Sequence, residues 1–157
     1  MKIGIIADSH DNLDKLKKAV DIFNLNRLGF VFHAGDFIAP FTVPVLNSLK
    51  CDFLGVFGNN DAETRLLKKK SQGKIKKGPL LINKFGMKIL LCHDLKKVSL
   101  SKREPDLVIF GHSHEVNISQ KGKTLFINPG ECCGWLTGRS TIAILDTGKM
   151  SFHILRI

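Results

Sequence analysis

Five short apolar runs in this chain each stop at a cluster of Asp, Asn or His. Residues 2–7 end in Asp8-Ser9-His10, and residues 29–32 in His33-Ala34-Gly35-Asp36. Residues 52–57 end in Gly58-Asn59-Asn60-Asp61, residues 87–91 in Cys92-His93, and residues 107–110 in Gly111-His112-Ser113-His114. Runs of this length, rich in β-branched side chains and bounded by turn residues, read as buried strands. Core packing does not ask for a polar group after each of five strands. In open α/β sheets the carboxyl ends of the strands are where ligands gather. A buried set of carboxylates and imidazoles is costly without a cation to offset it. His112 and His114 lie two apart, so an extended backbone sends both the same way. Imidazole is the commonest metal-ligating side chain.

Between these runs the periodicity changes. Leu13, Leu16, Val20 and Phe23 recur at helical steps, with Asp11 or Asn12 as N-cap. Residues 40–49 read as a short helix, with Pro44 tolerated only near its first turn. A further helix carries Leu66 and Leu67, followed by a Lys-rich loop with Gly73 and Gly78. The first half is therefore β-α-β-α-β-α. The second half is β-rich: a hairpin over 80–91 turning at Lys84-Phe85-Gly86, a polar segment over 95–103, and the run 107–110. Strands at 116–119 and 124–127 follow, then the loop Asn128-Pro129-Gly130, and a hairpin over 141–157 turning at Thr147-Gly148. With no repeat or low-complexity boundary, residues 1–157 are expected to form one domain.

The seven ligand-competent side chains are Asp8, His10, Asp36, Asn59, His93, His112 and His114. They offer oxygen and nitrogen but no thiolate. That set suits manganese, iron, cobalt, nickel or zinc and argues against a cysteine-based structural zinc site. Seven donors exceed what one tetrahedral ion needs; two ions sharing one carboxylate would use them all. His33, before its turn, is expected to be packed rather than ligating, and His153 to be structural. Cys51 and Cys92 read as small buried hydrophobes, and the adjacent Cys132 and Cys133 carry no assigned role.

The net charge of +10 suits an anionic partner. Much of it sits in Arg65, Lys68, Lys69, Lys70, Lys74, Lys76 and Lys77, without interleaved aromatics. That reads as a solvated helix end and loop, so nucleic acid is not the favoured partner. No apolar run approaches the ~18 residues of a membrane span. The run at the N-terminus is too short for a signal peptide. A cytoplasmic protein without membrane attachment is the expectation.

The order D-x-H, G-D, G-N-x-D, H, G-H-x-H resembles the calcineurin-like metallophosphoesterases. The run Asn128-Pro129-Gly130-Glu131-Cys132-Cys133-Gly134 is most similar to their compact archaeal and bacterial phosphodiesterase branch, the YfcE type. The resemblance implies an α/β fold: a four-layer α/β/β/α sandwich of two mixed β-sheets flanked by helices. It implies two divalent transition-metal ions, manganese foremost, with nickel, iron, cobalt or zinc as others. Asp8, His10, Asp36 and His114 would hold one, and Asp36, Asn59, His93 and His112 the other, with Asp36 as the bridge. The implied reaction is hydrolysis of a phosphodiester by hydroxide activated between the two ions, with Asp36, Asn59, Asn60 and Asp61 as catalytic residues. A homodimer is expected by analogy.

Two positions depart from the family pattern. Asn60 stands where many members have a proton-donating His, so leaving groups of low pKa are expected to react best. Asp94-Leu95-Lys96 follows His93 where Gly-His is common. Arg65 and Arg139 are candidate phosphate clamps. Two rival functions follow from the same residues. One is a non-catalytic scaffold like the retromer subunit, against which all seven donors being competent weighs. The other is a nuclease, favoured by the net charge, though the chain is short for a separate DNA-gripping domain.

Overall fold

The structure, a computed structural model, describes residues 1–100 and 104–157. Strand β1 (Lys2–Ile6) is buried along nearly its whole length, with Ile3, Ile5 and Ile6 fully enclosed, so it takes a central place. It runs parallel to β2 (Phe30–His33) on one side. β3 (Asp52–Val56) continues the parallel run. On its other side β1 pairs antiparallel with β10 (Thr141–Asp146), which pairs with β11 (Ser151–Arg156). A two-residue strand, β4 (Ile75–Lys76), closes the far edge and completes six strands in the order β11-β10-β1-β2-β3-β4. It lies inside the stretch expected to be a Lys-rich loop. Two residues are below the length at which any periodicity registers; the buried Ile75 and the pairing with β3 hold it.

Helix α1 (Leu13–Leu25) buries Leu16, Ala19, Val20 and Phe23, the stripe its spacing foretold. Asn12 is the cap, its side-chain oxygen accepting from Lys15 N at 3.2 Å. The helix expected over 40–49 is shorter: a 3₁₀ turn (Pro40–Thr42) and one turn of α-helix, α2 (Val43–Leu46). Pro44 falls within the first two helical positions, where its missing N–H leaves no bond unmade. Helix α3 (Thr64–Lys70) buries Leu67, whereas Leu66 is exposed. All three helices pack on one face of the six-stranded sheet.

The second sheet has the order β5-β6-β7-β9-β8. β5 (Leu80–Lys84) and β6 (Met87–Leu91) form the expected hairpin. β6, β7 (Leu107–Ile109) and β9 (Thr124–Pro129) run parallel, and β8 (Val116–Lys121) pairs antiparallel with β9. Ile3, Ile5 and Phe32 of the first sheet meet Ile89, Leu91, Ile109 and Ile127 of the second in a shared core. The outer face of the second sheet, with Leu90, Val108 and Phe126, is covered by Leu95, Val98 and Leu100. Among the described residues, a 3₁₀ turn (Leu95–Lys97) is the helical element of that layer. The end of the polar segment expected over 95–103 lies outside the described residues. The architecture is the expected one: two mixed sheets with flanking helices. Among the described residues no helix is long and apolar enough to cross a membrane.

Candidate metal centre

The parallel strands deliver their carboxyl ends to one edge, and the turns there are tight. Asp8, His10, Asp36, His112 and His114 all have positive φ, between 39° and 70°. Asp and His tolerate this region better than most side chains. Such backbone nonetheless costs on the order of 1–3 kcal/mol per residue and concentrates at functional sites. A lattice of backbone bonds holds it: Asp8 N donates to Gly35 O, His10 N to Asp36 O, and Gly111 N to His93 O, each at 3.0 Å. Two glycines are required by close approach. A Cβ at Gly58 would run into the Asp36 carboxylate, and one at Gly111 would come within 2.8 Å of Asp8 Oδ2.

The turns bring all seven expected donors together. Donor atoms of Asp8, His10, Asp36 and His114 lie within 4.8 Å of one another. His10 Nε2 is 3.3 Å from Asp36 Oδ2, and His114 Nε2 is 3.8 Å from Asp8 Oδ1. On the other side of Asp36, His93 Nε2 is 3.4 Å from the same Oδ2, 2.9 Å from Asn59 Oδ1 and 3.3 Å from His112 Nδ1. One carboxylate oxygen thus faces both groups.

These residues fit divalent cations. His10 Nε2 is buried and has no hydrogen-bond partner among the described residues, although it is aimed at two carboxylates. Donors ~2.0–2.2 Å from a common ion would stand roughly 3.0–3.5 Å apart, the spacing found around His93 Nε2. The ring nitrogens facing away from the donors are satisfied. His93 Nδ1 bonds Ala34 O at 2.8 Å, and His114 Nδ1 bonds Glu131 Oε2 at 2.8 Å. Asp8 and Asp36 are buried, and among the described residues the ion pairs they make are with histidines alone.

The electrostatics differ between the two carboxylates. Burial pushes Asp8 up to about 6, against the opposing pull of His93 and His114. Burial would also raise Asp36, but hydrogen bonds from His93 and from Asn60 hold it well below the usual carboxylate range. Burial lowers His10. It would lower His93 as well, but the Asp36 carboxylate overrides it and raises that imidazole.

Four other expected residues are placed differently from one another. Asn60 donates to Asp36 through both its backbone N (2.9 Å, to Oδ1) and its side-chain Nδ2 (2.8 Å, to Oδ2). Asp61 turns inward: its carboxylate accepts from Gly58 N (2.7 Å), Ile38 N (2.7 Å) and Asp36 N (3.1 Å). It clamps the Asp36 turn to the Gly58 turn rather than facing the donors, which makes it a positioning residue. Arg65 and Arg139 are exposed, and neither lines the cleft beside His93. His33 is packed as expected, stacked on Phe37 with ring centroids 3.8 Å apart and bonded to Ser9 Oγ at 3.0 Å.

Two carboxylates were not singled out from the sequence. Glu131 stands behind His114, and Asp94 Oδ2 lies 3.8 Å from His112 Nε2. Asn128 ties the G-H-x-H turn in place, donating to Gly111 O and Ser113 Oγ at 3.0 Å each. Only the family-like run around Asn128 pointed toward this region.

Residues 1–150 match the profile of the calcineurin-like phosphoesterase superfamily domain. The chain belongs to this family. It is 36% identical to a phosphodiesterase of Methanocaldococcus jannaschii, covering 98% of this chain and 97% of that protein. Its fold superimposes on a solved archaeal phosphodiesterase with a TM-score of 0.93, at 34% identity and full coverage of both chains. At the level of fold alone it is similar to the YfcE phosphoesterase of E. coli (TM-score 0.78, 17% identity, full coverage of both). The same holds for Vps29 of Chaetomium thermophilum (TM-score 0.74, 16% identity, covering 100% of this chain and 93% of that one). The calcineurin-like chain thus sits with the compact archaeal and bacterial branch that its N-P-G run resembles.

Proposed function

We propose that this calcineurin-like protein is a metal-dependent phosphodiesterase acting as one domain over residues 1–157, with two divalent ions at the seven donors. The observation that carries this is Asp36 Oδ2, which lies 3.3 Å from His10 Nε2 and 3.4 Å from His93 Nε2. A carboxylate so placed can bridge. Asp8, His10, Asp36 and His114 hold the first ion; Asp36, Asn59, His93 and His112 hold the second. Manganese is the ion we place first, ahead of nickel, iron, cobalt and zinc, and the cytoplasm is the compartment we assign. When bound, the pair would lower the pKa of water enough to supply a nucleophile at neutral pH and would draw charge from the phosphoryl oxygens.

The chain's own residues set the rest. Asn59, His93, Asp94 and Lys97 line a cleft of 220 Å³ beside the second group, with Phe57, Pro79 and Val98 as its apolar walls. A phosphoryl group entering there lies against Asn59 and His93, with the exposed Lys97 ammonium on the same cleft. Asn60 orients Asp36 and has no proton to give at neutral pH, so the leaving group departs unprotonated. Aryl diesters should therefore outpace alkyl diesters. A screen of purified protein reloaded with Mn²⁺ tests this, using bis(p-nitrophenyl) phosphate, alkyl diesters, monoesters and DNA. Hydrolysis of the aryl diester that is lost on chelation is the expected result. Activity that survives exhaustive EDTA treatment would refute the metal requirement. Equal rates on alkyl esters would refute the leaving-group argument, and two bound ions without turnover would favour a scaffold.

A further inference from the structure

Glu131 lies just past β9, fully enclosed, and no lysine or arginine pairs with it among the described residues. Its carboxylate instead gathers hydrogen bonds from both directions. His114 Nδ1 donates from the metal side at 2.8 Å. From the other side come Thr137 N (2.6 Å), Thr137 Oγ1 (2.7 Å), Leu136 N (3.1 Å) and the Cys133 thiol (3.1 Å). His114, Glu131 and Cys133 are close enough to suggest an ion of their own. Both oxygens of Glu131 already face these donors, however, so the cluster is a hydrogen-bond hub.

The loop 134–138 that this hub holds has a second attachment. Trp135 Nε1 donates to His10 O at 3.1 Å, while the rest of Trp135 is 65% exposed and Leu136 beside it 75% exposed. The loop is thus roped to two residues, His114 and His10, that serve the same proposed ion. Among the described residues, no comparable bond ties it to the donors of the other ion. His93 Nδ1 bonds Ala34 O, and His112 Nε2 faces Asp94.

We propose that Glu131 is a positioning residue that fixes His114 for one ion only, and that occupancy of that ion and order of the Trp135 loop form a single linked equilibrium. This rests on the metal reading above. A carboxylate behind a ligating imidazole fixes its tautomer and orientation, and losing it typically costs about 10–100-fold in metal affinity. Linkage is reciprocal, so loosening the loop must weaken the same ion.

Trp135 is the chain's one tryptophan and reports on the loop directly. Metal-free protein is titrated with Mn²⁺, free ion followed by electron paramagnetic resonance and the loop by tryptophan emission. In the wild type two ions should bind, and emission should change with one of them. His112→Ala should remove the silent step and leave the emission step in place. Glu131→Gln should weaken the emission-linked ion about 10–100-fold, leave the other where it was, and carry the emission change with it. Thr137→Val, which touches no metal ligand, should weaken the same ion by a smaller factor. Equal weakening of both ions, or of neither, in Glu131→Gln would overturn the inference while leaving the metal centre standing. So would emission that follows the ion lost in His112→Ala. Wild-type protein that binds no Mn²⁺ would overturn the metal centre and the inference together.

Discussion

His112 and His114 are two residues apart in one turn, yet their surroundings are opposite. The His114 side chain is 11% exposed and bonded to Glu131 at 2.8 Å; its neighbours Asp8 and Asp36 are enclosed. The His112 side chain is 42% exposed, stands 3.8 Å from Asp94, and lies beside Asn59 and His93, which line the cleft. One flank is closed and anchored; the other is open toward solvent. A closed set of donors suits an ion held for structure and charge, and an open one suits an ion that must also accept substrate oxygen. For the two ions proposed above, burial rather than donor type separates the flanks, because the donors themselves are similar.

The comparison can be broken most severely at the residue both flanks share. Asp36→Asn should lower hydrolysis of an aryl phosphodiester by about 10³-fold, since metal-derived stabilisation is worth several kcal/mol. It should also cost both ions, measured by metal content after gel filtration. Asp61→Ala strips the acceptor from three backbone N–H groups at the base of both flanks. Each buried orphan costs about 1–3 kcal/mol, so urea unfolding of metal-free protein should show a loss of about 3 kcal/mol or more. Gly58→Ala drives a Cβ into the Asp36 carboxylate and backbone amide. Strain of that kind costs about 1–3 kcal/mol, and the melting temperature in EDTA should fall accordingly.

Acid should separate the flanks. Burial raises the Asp8 carboxyl to about 6, only partly opposed by His93 and His114. Above that pH the carboxylate is free to ligate. Below it a proton must leave before an ion can bind, so affinity on the closed flank should fall by about tenfold per pH unit. On the open flank burial would lower His93, but the Asp36 carboxylate raises it, and its imidazole must also shed a proton to ligate. Calorimetric Mn²⁺ titrations between pH 7 and pH 5 should therefore show the open-flank ion weakening at the higher pH and the closed-flank ion following near pH 6. The smallest effect belongs to Asp94→Asn. At 3.8 Å from His112 and near solvent, its carboxylate should matter several-fold less for ion affinity than Glu131 does. Equal effects of the two substitutions would erase the distinction between the flanks.

Much of this was visible in the residue order. The five apolar runs ending in Asp, Asn or His located the edge where the donors meet, because each run is long enough to be a strand and each stop is abrupt. Helix α1 was equally plain from its stripe and its Asn12 cap. What escaped notice had specific physical causes. β4 is two residues long and has no period. The helix over 40–49 starts at Val43, because Pro44 can sit only in a first turn, and ends at Leu46 for a reason the residue order does not show. Asp61 belonged to a catalytic-looking motif, but which way its carboxylate points depends on three amides brought to it from two turns. Glu131 carried no signal beyond its place in a family-like run, since its partner His114 lies on a different turn and nothing local couples them.

Residue types and their spacing along the chain determined which chemistry was available here: imidazoles, carboxylates and one amide, placed where strands end. They determined the strand–helix order as well, because side-chain periodicity is a local property. Tertiary structure alone decided how closely those donors approach one another, how exposed each is, and which carboxylate backs which imidazole. Those outcomes depend on distances between turns far apart in the chain, and on how much water the folded walls leave beside each one.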